Sequence, residues 1–180
     1  QYTLDRWKSQ PRASAVVTVS QVADQTIDGF VMSVMQHNVT TAASDNATII
    51  NQFIEDASIT LLGQTITVSF YAKVVSGSAT ITPSLEVDNG NYSFAGTAKT
   101  LTSSWQRFTQ NFTLSGYTTS ISYRHLRLAF TVTSGIANIQ ITGVQLEKGS
   151  AVTPFENRLY GTELALCQRY YVQTTEVSVM

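Results

Sequence analysis

Apolar and polar residues alternate along parts of this chain with the period of two that is typical of β-strands. The clearest alternation runs from Thr65 to Val75. One face there would carry Ile66, Val68, Phe70 and Ala72, and the other Thr67, Ser69, Tyr71 and Lys73. The segment Arg124–Thr133 repeats the pattern, with an apolar face formed by Leu126, Leu128, Phe130 and Val132. We expect each of these strands to bury its apolar face in a core.

Other stretches rich in β-branched and aromatic residues are bounded by Gly, Asn, Asp and Ser, which favour turns. They are Ala15–Val22, Gly29–His37, Thr48–Glu55, Ala79–Val87, Trp105–Leu114 and Ile136–Glu147. The last of them should contain a bulge at Gly143. Residues 1–12 are expected to form an opening segment that ends near Pro11. Eight or nine strands joined by short turns predict an all-β antiparallel sandwich of the Greek-key or jelly-roll type.

One segment departs from the strand pattern, because Thr162–Tyr170 is typical of a short helix. Thr162 is a candidate N-cap, Glu163 fits the first turn, and Arg169 lies near the C-terminal end. Tyr171–Val179 again resembles a strand. The predicted organisation is therefore a jelly-roll sandwich over residues 1–158 and a helix-plus-strand extension over residues 159–180. The extension should pack on the sandwich or on a neighbouring chain.

Composition limits the kinds of partner. Charged residues make up 13% of the chain, about half the usual share of about 25%, and the net charge is −1. No basic cluster is present, which argues against nucleic acid and against anionic membrane surfaces. No apolar run approaches the roughly 20 residues that a membrane span needs. Cys167 is the single cysteine, so no intrachain disulfide is expected. Because the chain begins with Gln1, we expect it to be processed or to be a fragment.

A family resemblance is carried by residues 141–171, which read ITGVQLEKGSAVTPFENRLYGTELALCQRYY. A strand, GVQLE-x-G, a TPFE turn and an ELALCQRYY helix follow one another in this order. The run resembles the segment that closes a carbohydrate-binding-module-like jelly roll in bacteriophage tail-fibre and related virion proteins. The pieces YTLDRW, INQFIE, LLGQTITVSFYAK and SSWQRFTQNFTL fit the same resemblance, which then spans nearly the whole chain.

The resemblance implies a virion appendage that is assembled in the host cytoplasm, is homotrimeric and contacts other virion proteins. It leaves the ligand open, because such modules serve both as binders of host surface polysaccharide and as structural spacers. Three hypotheses follow. The first is a tail-fibre or tail-appendage module, the second a capsid decoration or head-fibre protein, and the third a glycan-binding accessory module of a secreted enzyme.

Aromatic residues in predicted loops are the candidates for glycan binding, because an exposed ring can stack on the apolar face of a sugar. One loop, DNGNYSFAG, offers Asn91, Tyr92 and Phe94, and a second offers Tyr117, Tyr123 and Arg124. The two tryptophans, Trp7 and Trp105, are expected to pack in the core, with Trp105 sealing one end of the sandwich. Contacts to a neighbour are predicted for Phe155, Glu156, Arg158, Tyr160, Leu164 and Tyr171.

Catalytic and metal patterns are weak in this sequence. His37 and His125 have no partners at the spacing of a metal site or a catalytic triad, and no nucleophile elbow surrounds any serine. The carboxylates that could be drawn on for glycoside hydrolysis are not paired by the sequence: Glu55, Asp56, Glu86 and Asp88. The candidate calcium ligands are scattered: Asp5, Asp24, Asp28 and Glu147. We therefore expect a non-catalytic protein with no cofactor and no bound metal.

Overall fold

The computed structural model of the protein describes residues 7–156. The predicted helix Thr162–Tyr170, the trailing strand, Asp5 and Cys167 lie outside the described residues. The same holds for four of the predicted interface residues, namely Arg158, Tyr160, Leu164 and Tyr171. Their assignments therefore stay predictions.

The described residues form eleven strands, one short α-helix and one 3-10 turn. The helix α1 is Ala57–Thr60, and the 3-10 turn is Asp88–Gly90. The strands are β1 Lys8–Pro11, β2 Val16–Ile27, β3 Phe30–Thr41, β4 Ala47–Ile54, β5 Thr65–Ser76, β6 Ala79–Val87, β7 Tyr92–Ala95, β8 Lys99–Thr100, β9 Gln106–Thr113, β10 Leu126–Ser134 and β11 Ala137–Lys148. Among these residues, no helix has the length and apolar character needed to cross a membrane.

The strands form two antiparallel sheets that pack face to face. The first sheet has the order β1-β4-β10-β6-β7, with β8 also paired to β6, and the second has the order β2-β3-β11-β5-β9. The predicted all-β jelly-roll sandwich is confirmed. Most neighbours within a sheet are far apart in sequence, so each sheet is completed only when distant parts of the chain meet.

The core lies between the sheets and is formed by the faces that alternation predicts. Ile66, Val68, Phe70 and Ala72 of β5 are all fully buried. From the other sheet, β10 contributes Phe130, whose ring lies 4.7 Å from that of Phe70. The outward face of β5 carries the polar residues that the pattern assigned to it.

Two local details qualify the sequence interpretation. The bulge expected at Gly143 is confirmed, because the pairing of β11 with β5 shifts register between Thr142 and Gln145. The expectation that residues 1–12 form only an opening segment is wrong for Lys8–Pro11, which pairs with β4. Proline is tolerated here because β1 is an edge strand with a partner on one side only.

Candidate functional site

The outward face of the second sheet carries two rows of polar residues that run across its strands. The first row joins four strands and consists of Ser20, Gln36, Gln140 and Lys73. The second consists of Thr18, Asn38 and Asn138. Because neighbouring strands lie about 4.8 Å apart, the first row is about 14 Å long. We call this surface, together with Trp105 at its edge, the trough.

The trough is curved, and one hydrogen bond across it demonstrates this. The Trp105 indole N–H donates to the Gln25 side-chain oxygen at 3.0 Å. Trp105 leads into β9 and Gln25 lies in β2, which are the two edge strands of the sheet. A flat five-stranded sheet would hold these edges about 19 Å apart, beyond the reach of two side chains. A bulge in β2 between Val22 and Gln25 contributes to the bend.

One end of the trough is closed by a small apolar cluster. Its buried members are Ile27, Met32 and Tyr71, and Phe30, Trp105 and Phe155 pack against them. The Tyr71 hydroxyl donates to Asp28 at the tip of the β2–β3 hairpin, at 2.7 Å. Burial, followed by this bond to Asp28, raises the pKa of Tyr71 above its ordinary value. Tyr71 is therefore part of the closed end and is not available to stack on a ligand.

Residues 149–156 form a strap that lies over the same closed end. Arg107 donates to the Thr153 carbonyl at 2.7 Å, and the Glu156 backbone N–H donates to the Gln145 side chain at 3.0 Å. Thr153 donates to Glu147, and this bond is the main cause that lowers the pKa of the Glu147 carboxyl. Phe155 meets Phe30 edge to face at 6.2 Å. Phe155 and Glu156, predicted as interface residues, thus contact the sandwich itself.

Two amide side chains of the polar rows have unused hydrogen-bonding capacity. Gln140 donates to the Gln36 side-chain oxygen at 3.1 Å. The side-chain oxygens of Asn138 and Gln140 are buried and accept no hydrogen bond from residues 7–156. A buried polar group left without a partner is costly, so each of these amides would gain if a ligand drew its side chain outward and supplied a donor.

The two loops predicted to bind glycan come together at one end of the sandwich, and Asp88 joins them. Its carboxylate accepts the side-chain N–H of Asn91 at 2.9 Å. It also accepts the backbone N–H groups of Ser122 and Tyr123, at 3.0 and 2.9 Å. These bonds, that to Asn91 first, lower the pKa of Asp88. The polar groups that hold the loops together are therefore already satisfied by one another.

Most of the predicted loop aromatics pack inward. Tyr117 is buried, donates its hydroxyl to the Ser58 carbonyl at 2.6 Å, and lies against Tyr92 and Phe94. Phe94 pairs with Leu85 of the core face and packs against the core. The structure thus places Tyr117 and Phe94 as packing residues, contrary to their predicted role as exposed binding aromatics, because their strand and loop turn them toward the core.

Four of the predicted loop residues remain exposed, namely Asn91, Tyr92, Tyr123 and Arg124. Tyr92 is 36% exposed and Tyr123 is 51% exposed. Arg124 forms an exposed ion pair with Asp56 at 3.1 Å. This loop end offers two separate aromatic rings and lacks the rows of polar side chains that the trough has.

The two tryptophans differ in position. Trp7 packs against the core as predicted, with its ring 5.9 Å from that of Phe130. The prediction for Trp105 is wrong, because its half-buried ring packs on the outward face of the second sheet. Alternation within β9 could have shown this: Phe108 and Phe112 face the core, which places Trp105 on the opposite face with Arg107.

A cavity of about 610 Å³ lies between the sheets at one end, where Trp7 and Gln52 face Val31 and Met35. Its lining combines buried residues of the second sheet with partly buried and exposed side chains, of which Gln21, Ser33 and Gln52 are polar. It has no row of polar groups comparable with those of the trough. We therefore place the candidate binding site at the trough.

Several of the residues considered for catalysis or metal binding have structural partners. Glu86 pairs with Arg127 at 3.0 Å. Asp24 accepts a bond from Ser33 at 2.8 Å. Within residues 7–156, no three His, Cys, Asp or Glu side chains are grouped so that they could hold a metal ion. His37 is fully buried in the sandwich, next to Thr48 at 2.9 Å.

Comparison with known proteins identifies solved structures of similar fold. No family model and no curated protein sequence matches the chain. Among solved structures, it is similar to the CBM22-1 xylan-binding domain of Xyn10C from Paenibacillus barcinonensis. The two are 18% identical over 84% of this chain and 91% of that one, with a TM-score of 0.58. A CBM4 structure is 20% identical over 79% of this chain and 86% of that one, with a TM-score of 0.57.

The chain is also similar to the enzymatically active domain of tailspike protein 4 from bacteriophage CBA120. The identity is 17%, the TM-score is 0.62, and the match covers 82% of this chain. It covers 20% of that chain, so this protein spans about a fifth of the tailspike length. At these identities the likeness concerns the fold. The chain therefore has the jelly-roll β-sandwich fold that carbohydrate-binding modules share.

Proposed function

We propose that this protein is a non-catalytic glycan-binding module that holds an extended stretch of polysaccharide in the trough. The observation that carries the proposal is the pair of polar rows on a curved sheet face beside the half-buried ring of Trp105. Sugar hydroxyls both donate and accept hydrogen bonds, so they match amide side chains, which also do both. The half-buried Trp105 ring, over which the Lys73 ammonium lies at 4.9 Å, would meet the C–H side of a sugar once Lys73 turns toward the ligand.

The shape of the trough favours a chain over a single sugar. The first row is about 14 Å long, and its residues Ser20, Gln36 and Lys73 are at least partly accessible. Along the strands, the hairpin and the strap close one end of the trough, and no such cover is formed by residues 7–156 at the other end, near Asn38 and Asn138. A polysaccharide that follows the first row across the strands, from Ser20 to Lys73, would have its last bound sugar beside Trp105.

The proposed setting is a virion appendage, with the chain assembled as a homotrimer and in contact with other virion proteins. Support comes from the similar tailspike structure and from the resemblance of residues 141–171 to tail-fibre proteins. Three weak sites in one trimer would gain about 10²–10⁴ in avidity. The alternatives are a capsid decoration or head-fibre protein, and an accessory module of a secreted enzyme. The similar xylan-binding domain favours the last of these.

The test of the binding site is the variant Trp105→Ala. We expect it to weaken binding to a polysaccharide that the wild-type protein retains by about tenfold or more, equivalent to about 1.4 kcal/mol. The loss follows because the sugar loses its stacking surface and Gln25 loses its partner. Affinity electrophoresis against a panel of soluble polysaccharides identifies the ligand, and calorimetric titration then gives the dissociation constants.

The matched control is Tyr123→Ala, which removes an exposed aromatic ring from the loop end instead. It should leave the dissociation constant unchanged. Circular dichroism and thermal melting of both variants establish that each is folded. If Tyr123→Ala weakened binding and folded Trp105→Ala did not, the site would lie at the loop end and the assignment to the trough would be wrong.

A further inference from the structure

We infer that the trough prefers an acidic glycan, whose negative group is held by the ammonium group of Lys73. This inference rests on the proposed function and specifies the class of polysaccharide. The negative group is a uronic carboxylate or a sulfate or phosphate ester, which share the chemistry that an ammonium recognises. The solved structures of similar fold do not imply an acidic ligand. The preference is inferred from the charges on the trough.

Lys73 lies where a ligand must pass. It ends the first polar row, directly beside Gln140 across the β5–β11 pairing. Its Nζ atom lies 4.9 Å from the centre of the Trp105 ring. A sugar that stacks near Trp105 would therefore place its substituents within reach of the ammonium group.

The ammonium group of Lys73 lies over the Trp105 ring in a cation–π contact and forms no ion pair within residues 7–156. No carboxylate of residues 7–156 lies within ion-pair distance of Lys73, whereas Arg12, Arg124 and Arg127 each have one. The other residues of the two polar rows are uncharged. A cation in a row of neutral amides on a half-buried surface is a site at which an anion would be stabilised.

Three charged side chains at the closed end of the trough have hydrogen-bond partners there, namely Arg107, Glu147 and Asp28. Arg107 is bonded to Ser69 and to the strap at Thr153. The carboxylates of Glu147 and Asp28 accept bonds from Thr153 and Tyr71 at the closed end. Neither carboxylate forms an ion pair with Lys73, and the Arg107 guanidinium is held by its bonds to Ser69 and Thr153. The preference for an acidic glycan should therefore depend on Lys73.

The experiment measures binding to matched pairs of polymers that differ in charge. One pair is polygalacturonate and its carboxyl-reduced product, and the other is dextran sulfate and dextran. We expect the wild-type protein to bind the acidic member of at least one pair about tenfold or more tightly at low salt. The difference should shrink as salt is raised, because the interaction is screened. A preference within the polygalacturonate pair would identify a carboxylate as the group that Lys73 holds, and a preference within the dextran pair would identify a sulfate ester.

Three variants assign the preference to its residue. Lys73→Gln should abolish the difference between the acidic and the neutral polymer. Lys73→Arg, which keeps the charge, should restore the preference. Lys148→Gln, a change of an exposed lysine at the end of β11, should behave like the wild-type protein.

The outcomes separate this inference from the proposed function. Equal binding of acidic and neutral polymers by the wild-type protein would overturn the inference and leave the glycan-binding proposal intact. An undiminished preference in Lys73→Gln would do the same, because another group would then hold the anion. Failure of the wild-type protein to bind any polysaccharide would overturn the proposed function itself.

Discussion

Replacing Phe130 by alanine is expected to lower the free energy of unfolding by about 3–5 kcal/mol, the cost of deleting a large side chain from a core. Phe130 is fully buried in the central strand β10. Its ring contacts Phe70 of the opposite sheet at 4.7 Å and Trp7 at 5.9 Å. The truncation leaves a cavity where the two sheets meet. Chemical denaturation followed by circular dichroism measures the loss.

The matched control for this change is Phe53→Ala. Phe53 is a half-buried phenylalanine on the outward face of β4, where it meets the ring of His125 at 4.8 Å. Because it supports no contact between the sheets, its truncation should cost clearly less than that of Phe130. Equal costs for the two variants would contradict the assignment of the core. Phe130→Ala thus reports on loss of the fold. Trp105→Ala, in contrast, should lose ligand contact while the protein stays folded.

Acid is expected to destabilise the protein through His37. Burial lowers the pKa of this side chain from 6.5 to about 4. Below pH 6.5 the unfolded chain takes up a proton that the folded protein does not accept, so stability falls as pH falls. Relative to its value above pH 6.5, the free energy of unfolding is lower by about 2 kcal/mol at pH 5 and by about 3 kcal/mol near pH 4.

This destabilisation would reach the trough directly. His37 faces the core from β3, and its two neighbours in the strand, Gln36 and Asn38, face outward into the polar rows. A charged imidazole in the core would disturb the strand that positions both amides. We therefore expect glycan affinity to fall together with stability as the pH drops below about 5.

The variant His37→Gln isolates this effect, because glutamine fills a similar space and does not titrate. Its free energy of unfolding should depend less on pH between 7 and 4 than that of the wild-type protein. Nuclear magnetic resonance titration of the His37 ring should give a midpoint near pH 4. An identical pH dependence for the two proteins, or a midpoint near 6.5, would refute the account of His37.

Much of the fold could be predicted from the sequence, because alternation is a local signal. The predicted strand Ala79–Val87 coincides with β6, and Thr65–Val75 differs from β5 by one residue at its end. The apolar faces of β5 and β10 were assigned correctly in full. Alternation fixes which residues share a face, and a core between two such sheets follows from it.

The trough could not be predicted in the same way, because it depends on contacts between distant residues. Gln25 and Trp105, whose hydrogen bond crosses the trough, are 80 positions apart in the sequence. The polar rows join β2, β3, β11 and β5, an order that local patterns do not contain. Gln36, Asn38, Asn138 and Gln140 look like ordinary surface residues until the pairing places them side by side.

The loop residues illustrate a second limit. Asn91, Tyr92, Tyr117 and Tyr123 were grouped by their composition as two exposed loops, and the structure does bring the loops together. Composition could not reveal that the Asp88 carboxylate accepts hydrogen bonds from both loops at once. Tyr117 then becomes buried beneath Tyr92, because the joined loops cover it.

Binding of glycan in the trough can be measured by nuclear magnetic resonance titration with the polysaccharide fragment that the protein retains. We expect the largest shifts at the Trp105 indole N–H and at the side-chain amides of Gln36, Asn38, Asn138 and Gln140. Signals of Tyr92 and Tyr123 at the loop end should stay in place. Shifts confined to the loop end, with the trough signals unchanged at saturation, would contradict binding in the trough.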